Sequence, residues 1–151
     1  GHYGILCQRY APFIQYFGVD SSAAMVDEAQ ELAKQYQLVP RFMISNWDWG
    51  DYSLYDVILV SQVAEMTDEP PKVIDHILKQ ARRFVILHRL RVKGIAGRVY
   101  EKTYCDYAGQ NWVWDWIQMA RRIQRHNYRV RYDSDWDSHM TLIVEKSPWA
   151  L

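Results

Sequence analysis

Asp20 and the two serines behind it form the most chemically loaded point of the sequence. The run before Asp20, ending Tyr16-Phe17-Gly18-Val19, is aromatic and β-branched, so Phe13 to Val19 reads as a buried strand that ends on an acid. A helix follows at once. Ser21 or Ser22 can cap it by accepting a bond from a free first-turn N–H. Asp20 then sits just outside a sheet edge. Open α/β sheets bind ligands at that edge, and an acid at the end of the second strand can accept both hydroxyls of a ribose. The plain alternative is an acid that only caps the helix.

Other stretches carry side chains that could act on a ligand. Asn46-Trp47-Asp48-Trp49-Gly50-Asp51 is a polar and aromatic loop. His88 closes an apolar run, where a histidine is as often structural as chemical. Tyr100, Tyr104, Tyr107, Trp112, Trp114 and Trp116 crowd one region. They suit an aromatic pocket or lid for an apolar or ring-containing molecule, a surface for a protein partner, or plain core packing. The 5 histidines are scattered, and Cys7 and Cys105 lack the spacing of metal ligands. There is no nucleotide-hydrolase phosphate loop and no nucleophile elbow.

The elements that must position these residues alternate. Ile5, Leu6 and Tyr10 suit a short helix that stops before Pro12. After the Asp20 strand, Met25, Ala29, Leu32 and Tyr36 fall on one helical face, with Val26 and Ala33 beside them. Arg41 to Ser45 reads as a second strand. Tyr55 to Val60 reads as a third, with the nearly continuous apolar run of a strand buried on both faces. Thr67 to Pro71 starts a helix whose inner face is Val73, Ile74, Ile77, Leu78 and Ala81. Phe84 to Leu87 is a fourth strand. Residues 91–110 show no clear period and read as an irregular insertion. Asn111 caps a helix with Val113, Trp116, Ile117, Ala120 and Ile123 inward. Tyr128 to Tyr132 and Met140 to Val144 form an antiparallel pair joined by a five- to seven-residue connection. The expected fold is α/β: a Rossmann-like, doubly wound, mostly parallel sheet with a C-terminal antiparallel hairpin, in one domain over 1–151.

Composition bounds the function classes. Lysine plus arginine balance aspartate plus glutamate at 18 each, so the formal net charge is zero. That argues against general nucleic-acid binding, which needs a basic footprint. No apolar run reaches the length of a membrane span. Two cysteines make no disulfide framework and suit reduced thiols in the cytoplasm.

In this order of elements the chain resembles the class I S-adenosylmethionine-dependent methyltransferases. Gly18-Val19-Asp20-Ser21-Ser22-Ala23-Ala24-Met25 is similar to their motif G-V-D-x-S-x-x-M. Tyr55-Asp56-Val57-Ile58 is similar to their Y-D-V-V strand. Ser61 to Met66 resembles the segment that runs over the methionine end of the cofactor. The resemblance implies S-adenosyl-L-methionine as cofactor and a small molecule as methyl acceptor. Asp20 would hold the ribose, with Ser21 beside it. Asp48 would take the adenine amino group, Asp51 being its competitor, with Trp47 or Met25 against the ring. Gln62 would lie by the methionine moiety. Gly1 and Gly4 would let backbone approach the ligand, unless Gly4 is a helix-packing glycine. His88, Glu65 and Tyr104 are candidates for a general base if the acceptor is a hydroxyl. Residues 91–110 would be an acceptor lid, with Trp112, Trp114 and Tyr104 facing the substrate.

The family opens with a strand and a turn of the form acid-x-G-x-G-x-G. Gly1 fits the last glycine of that turn, so the expectation is an N-terminally truncated member, with upstream residues or another segment filling the centre of the sheet. The competing reading takes Gly1-His2 as vector residues. A cofactor-free interaction module on the same fold is the alternative function, and a homo-oligomer is compatible with either.

Overall fold

The computed structural model describes residues 2–39, 41–48, 50–93, 100–105, 109–136 and 139–148. In 91–93, 100–105, 109–116 and 132–136 it describes the backbone. Gly1 and Tyr107 lie outside the described residues. The chain divides into two compact units, Gly1–Trp49 and Gly50–Leu151, where the sequence reads as one domain.

The first unit contains α1 (His2–Tyr10), β1 (Phe17–Asp20), α2 (Ala23–Gln35) and β2 (Arg41–Ile44). β1 and β2 pair in parallel from Phe17↔Arg41 to Asp20↔Ile44, with α2 as the crossover. Ser22, not Ser21, is the N-cap of α2, its side chain accepting from the Met25 N–H. The helix ends in a Schellman closure: Leu38 N–H donates to Ala33 O at 2.9 Å and Gln37 N–H to Lys34 O at 3.0 Å. Gln37 takes the left-handed position, φ 54°, that glycine usually fills. The buried face of α2 is Val26, Ala29 and Ala33. Met25 and Tyr36, expected inward, are 51% and 57% exposed, because the inner stripe is centred one residue further on.

The expected strand from Phe13 is a second correction. A turn closed by Ile14 N–H on Ala11 O keeps the next residues off the sheet, and Phe13 is 84% exposed. Gly18 pairs with Phe42, and a Cβ at Gly18 would lie 2.6 Å from Phe42 Cδ1. The glycine therefore makes room for a ring, which meets Tyr16 edge-on at 6.0 Å.

The second unit contains β3 (Val57–Ser61), α3 (Pro70–Gln80), β4 (Phe84–Lys93), β5 (Tyr100–Cys105), β6 (Gly109–Asp115), α4 (Trp116–Arg125), β7 (Tyr128–Trp136) and β8 (His139–Lys146). Its strands run β5-β6-β4-β8-β7, and β3 also pairs with β4. β3 and β6 run parallel to β4; β8 is antiparallel to both β4 and β7, and β5 to β6. The sheet is thus mixed rather than mostly parallel. The terminal pair is antiparallel as expected, but its strands are longer and its connection correspondingly shorter.

Residues 91–110 are the largest difference. β4 runs on to Lys93, and β5 and β6 form a hairpin in continuous register from Tyr100↔Trp114 to Cys105↔Gly109. Asn111 lies inside β6 and caps no helix; α4 begins at Trp116. The strand alternation of Trp112-Val113-Trp114 is short enough to pass for the start of an amphipathic helix.

The α3 face and the sheet core follow the sequence closely, whereas in α4 Met119 and Ile123 are buried and Ile117, expected inward, is exposed. Pro70 stands at the first position of α3, where its missing N–H costs nothing. Val73, Ile74, Leu78 and Ala81 are fully buried, as are Val85, Leu87, Leu142 and Val144 on the sheet. Tyr128 is buried too, its hydroxyl donating to Ala81 O at 2.9 Å. No described helix is long and apolar enough to cross a membrane.

Candidate functional site

In the first unit the parallel pairing gathers chemistry at one edge. β1 and β2 end in register, and Ser45 N–H donates to Asp20 O at 2.9 Å. The turn holding Trp47 and Asp48 follows directly. Asp20, Trp47 and Asp48 therefore lie beyond the same C-terminal strand ends, with the first turn of α2 beside them.

Asp20 is exposed. Its Oδ1 accepts from the Ser22 N–H at 2.9 Å, and Oδ2 has no protein partner among the described residues. One oxygen fixes the carboxylate to the start of α2, and the other can meet a ligand hydroxyl. The capping acid and the ligand acid are thus compatible in one residue. Ser21 is exposed between Asp20 and the cap, and Met25 is half-exposed on the first turn. Gly4 is buried within α1.

Asp48 is exposed and Trp47 half-buried. Its competitor Asp51 caps the short 3-10 turn Tyr52–Leu54, accepting from Ser53 N–H at 2.8 Å. Hydrogen bonds from Ser53 hold that carboxyl below the usual range. Asp51 is spent on local structure in the second unit, which leaves Asp48 as the loop acid at the edge of the first.

The second unit has its own edge at the end of β3. Ser61 pairs with His88, and Gln62 N–H donates to His88 O at 3.3 Å. Gln62 and Arg89 are both left-handed, φ 53° and 59°. The β4–β8 pairing slips between Leu87 and Leu90, a bulge that leaves His88 and Arg89 opposite Thr141. His88 Nδ1 lies 2.8 Å from Thr141 Oγ1. Partial burial, together with the charges of Arg89 and His139, lowers the His88 pKa below the ordinary imidazole value. Glu65 follows in the 3-10 turn Ala64–Met66 and is 4% exposed.

Past the bulge, β4 exchanges β3 for β6 as its neighbour, with Val92↔Trp114 and Lys93↔Asp115. β6 also runs against the turn Ala64–Met66. The backbone of Trp112 and Trp114 is therefore carried beyond the C-terminal end of β3. Tyr104 lies on β5 opposite Gln110. The bulge and the contact between His88 and Thr141 were not foreseeable: an unbroken apolar run hides a one-residue slip, and a lone threonine in a strand carries no signal.

No protein-family model and no curated protein sequence matches the chain. Solved structures do. Magnesium protoporphyrin IX methyltransferase (ChlM) from Synechocystis PCC 6803, with bound SAM, aligns with a TM-score of 0.65 and 19% identity, over 87% of this chain and 59% of its own. An S-adenosylmethionine-dependent methyltransferase from Mesorhizobium loti aligns at TM-score 0.70 and 9% identity, over 95% and 87%. The [4+2]-cyclase SpnF aligns at 0.64 and 15%, over 88% and 66%. The chain spans 59–63% of the length of the ChlM chains it matches. With a parallel β–α–β unit whose first strand ends on Asp20, a second β–α–β unit and a closing antiparallel pair, this chain has the fold of the class I S-adenosylmethionine-dependent methyltransferases.

Proposed function

We propose that this protein binds S-adenosylmethionine and transfers its methyl group to a small-molecule acceptor. The observation that carries the reading is Asp20: a carboxylate fixed through one oxygen at a strand end, its other oxygen open, with Trp47 and Asp48 beyond the neighbouring strand. Asp20 holds the ribose hydroxyls, Asp48 the adenine amino group, and Trp47 or Met25 the face of the ring. Ser21, Gly1 and Gly4 lie by the cofactor, and Gln62 by its methionine end. The fold and the bound SAM of ChlM support this assignment.

When bound, the cofactor supplies an electrophilic methyl group on a sulfonium sulfur. The chain's part is then alignment, because such a displacement depends mainly on holding the reacting atoms in line and close. The β5–β6 hairpin serves as the acceptor lid, and Trp112, Trp114 and Tyr104 are its candidate substrate residues. His88, Glu65 and Tyr104 are its candidates for proton transfer. ChlM, whose name gives a ring-containing acceptor, supports an aromatic lid of this kind.

Calorimetric titration of S-adenosylhomocysteine tests the reading. Hydrogen bonds to charged acceptors contribute about 1.5–3 kcal/mol each. Asp20→Ala should therefore weaken binding by about ten- to several-hundredfold, each 1.4 kcal/mol being about tenfold. Folding should change little, because Ser22 still caps α2. Equal affinities would remove Asp20 from the site. An absence of binding to the unmutated protein would favour the interaction-module alternative.

A further inference from the structure

Val57↔Phe84 opens the β3–β4 pairing that Ser61↔His88 closes. At the opening end, three arginines converge on one carboxylate. Glu145 of β8 is paired with Phe84 of β4 on one side and with Arg129 of β7 on the other. Its Oε2 accepts from Arg131 Nε and, at 3.0 Å, from Arg129 Nη2. Arg83 Nε lies 4.0 Å from Oε1, and the Arg83 guanidinium is held over the Phe84 ring at 4.9 Å. Two backbone features bring these groups together. The β7–β8 pairing slips between Val130 and Tyr132, so Arg131 is an extra residue on a bulged strand, and bulges re-aim side chains. Lys146 N–H donates to Arg83 O at 2.7 Å, which fastens the entry of β4 to the end of β8.

One arginine would neutralise Glu145. Three leave an excess of two positive charges at one point. The Glu145 side chain is 14% exposed and the arginine side chains 48–68%, so the excess charge faces water. A guanidinium carries five N–H donors, and those that Glu145 does not take meet no acceptor among the described residues. The surroundings do not offset the charge. Arg82 pairs with Asp56 at 3.8 Å, Lys146 Nζ donates to Ala81 O, and residues 121–131 hold five arginines and no acid. We propose that Arg83, Arg129 and Arg131 form a binding site for a phosphate monoester, independent of the methyl-transfer reading. Such a group carries nearly two negative charges at neutral pH and presents three terminal oxygens, which match the excess of two charges and the converging donors. Guanidinium forks pair with phosphate through two parallel bonds. A carboxylate or a phosphodiester brings one charge and would leave half of the excess unmet. Glu145, the more buried partner, gathers the arginines and repels an anion, so the phosphate takes the solvent-facing edges of the forks.

The test is titration of the full chain with inorganic phosphate at constant ionic strength, followed by NMR of the arginine Nε–H groups. The expected result is saturable shifts at Arg83, Arg129 and Arg131, larger than at any other arginine. Arg131→Gln and Arg83→Gln should each weaken binding about tenfold, through loss of one charge-assisted contact. Arg83 precedes the first residue of β4, so the second variant leaves the strand ladder intact. Arg125→Gln, at the end of α4, should leave the affinity unchanged. A response that chloride reproduces at the same ionic strength would reduce the cluster to charge screening and overturn the proposal. Equal losses in all three variants would do the same, as would tighter binding of dimethyl phosphate than of phosphate. A phosphoserine peptide and a sugar phosphate, titrated in the same way, distinguish the sources: the tighter of the two identifies the monoester as carried by a protein or by a small molecule.

Discussion

Asp75 on α3 and Arg122 on α4 form an ion pair, Arg122 Nη1 donating to Asp75 Oδ2, and the other carboxylate oxygen lies 2.9 Å from His126 Nε2. One carboxylate thereby fastens the last turn of α4, and the residue just after it, to the middle of α3. The Arg122 side chain is 13% exposed, so its charge is largely withdrawn from water.

Asp75→Asn should therefore be destabilising. Removing one partner of a buried pair strands the other, at a cost of about 3–5 kcal/mol when both are deeply buried. Asp75 is 40% exposed, so a loss of about 1–3 kcal/mol is expected here. Thermal denaturation would show it as a fall of several degrees, at about 2–4 °C per kcal/mol in a chain of this size. Arg122→Met in the same background should recover part of the loss. An unchanged melting temperature would mean that the pair contributes nothing.

Gly18 offers a second check. A methyl group added there would lie 2.6 and 2.9 Å from two carbons of the Phe42 ring. Overpacking of this kind costs about 1–3 kcal/mol. Gly18→Ala should lower the urea midpoint. Phe42→Leu should cost less in the Gly18→Ala background than alone, because the two positions share one space. Additive effects would show that the ring moves aside freely.

Tyr128 ties stability to alkaline pH. Burial pushes its hydroxyl up to about 12 from an ordinary 10.0. A raised folded-state value means the contribution is fully present below the unfolded value and is lost as pH climbs from 10 toward 12. Melting temperature measured from pH 9 to 12 should fall more steeply for the natural protein than for Tyr128→Phe. At neutral pH that variant should lose only about 0.5–1.5 kcal/mol, since Lys146 Nζ also donates to Ala81 O, at 3.2 Å. Parallel curves would exclude Tyr128 as the titrating group.

Where local signals agreed with tertiary demand, the sequence was legible. Prolines at the start of α3 and apolar residues at helical spacing specified that helix and its buried face, because its burial is one-sided and its start has a steric cause. Asp20 at a strand end and a serine cap behind it were readable for the same reason, a short motif whose geometry is local, although only the structure separates Ser22 from Ser21 as the cap. Phe13 misled because aromatic character reports hydrophobicity, not burial, and a turn lifts it off the sheet. The hairpin of β5 and β6 was hidden because its placement depends on the extension of β4 past the bulge, a non-local pairing that alternation in Trp112-Val113-Trp114 cannot announce. Asp51 could be separated from Asp48 only by its hydrogen bond to Ser53.

The position of β8 between β4 and β7 has a consequence for biosynthesis. β8 follows every other strand of its sheet in the chain, yet both of its edges are paired. Until it leaves the ribosome, β4 has an open edge on the side where β8 belongs, and β7 has no partner in its own sheet. Exposed strand edges of that kind are where nascent chains cling to one another. This unit cannot close its sheet piecemeal during synthesis. Both pairings of β8 wait until translation has passed Lys146, and until then those strand edges stand open.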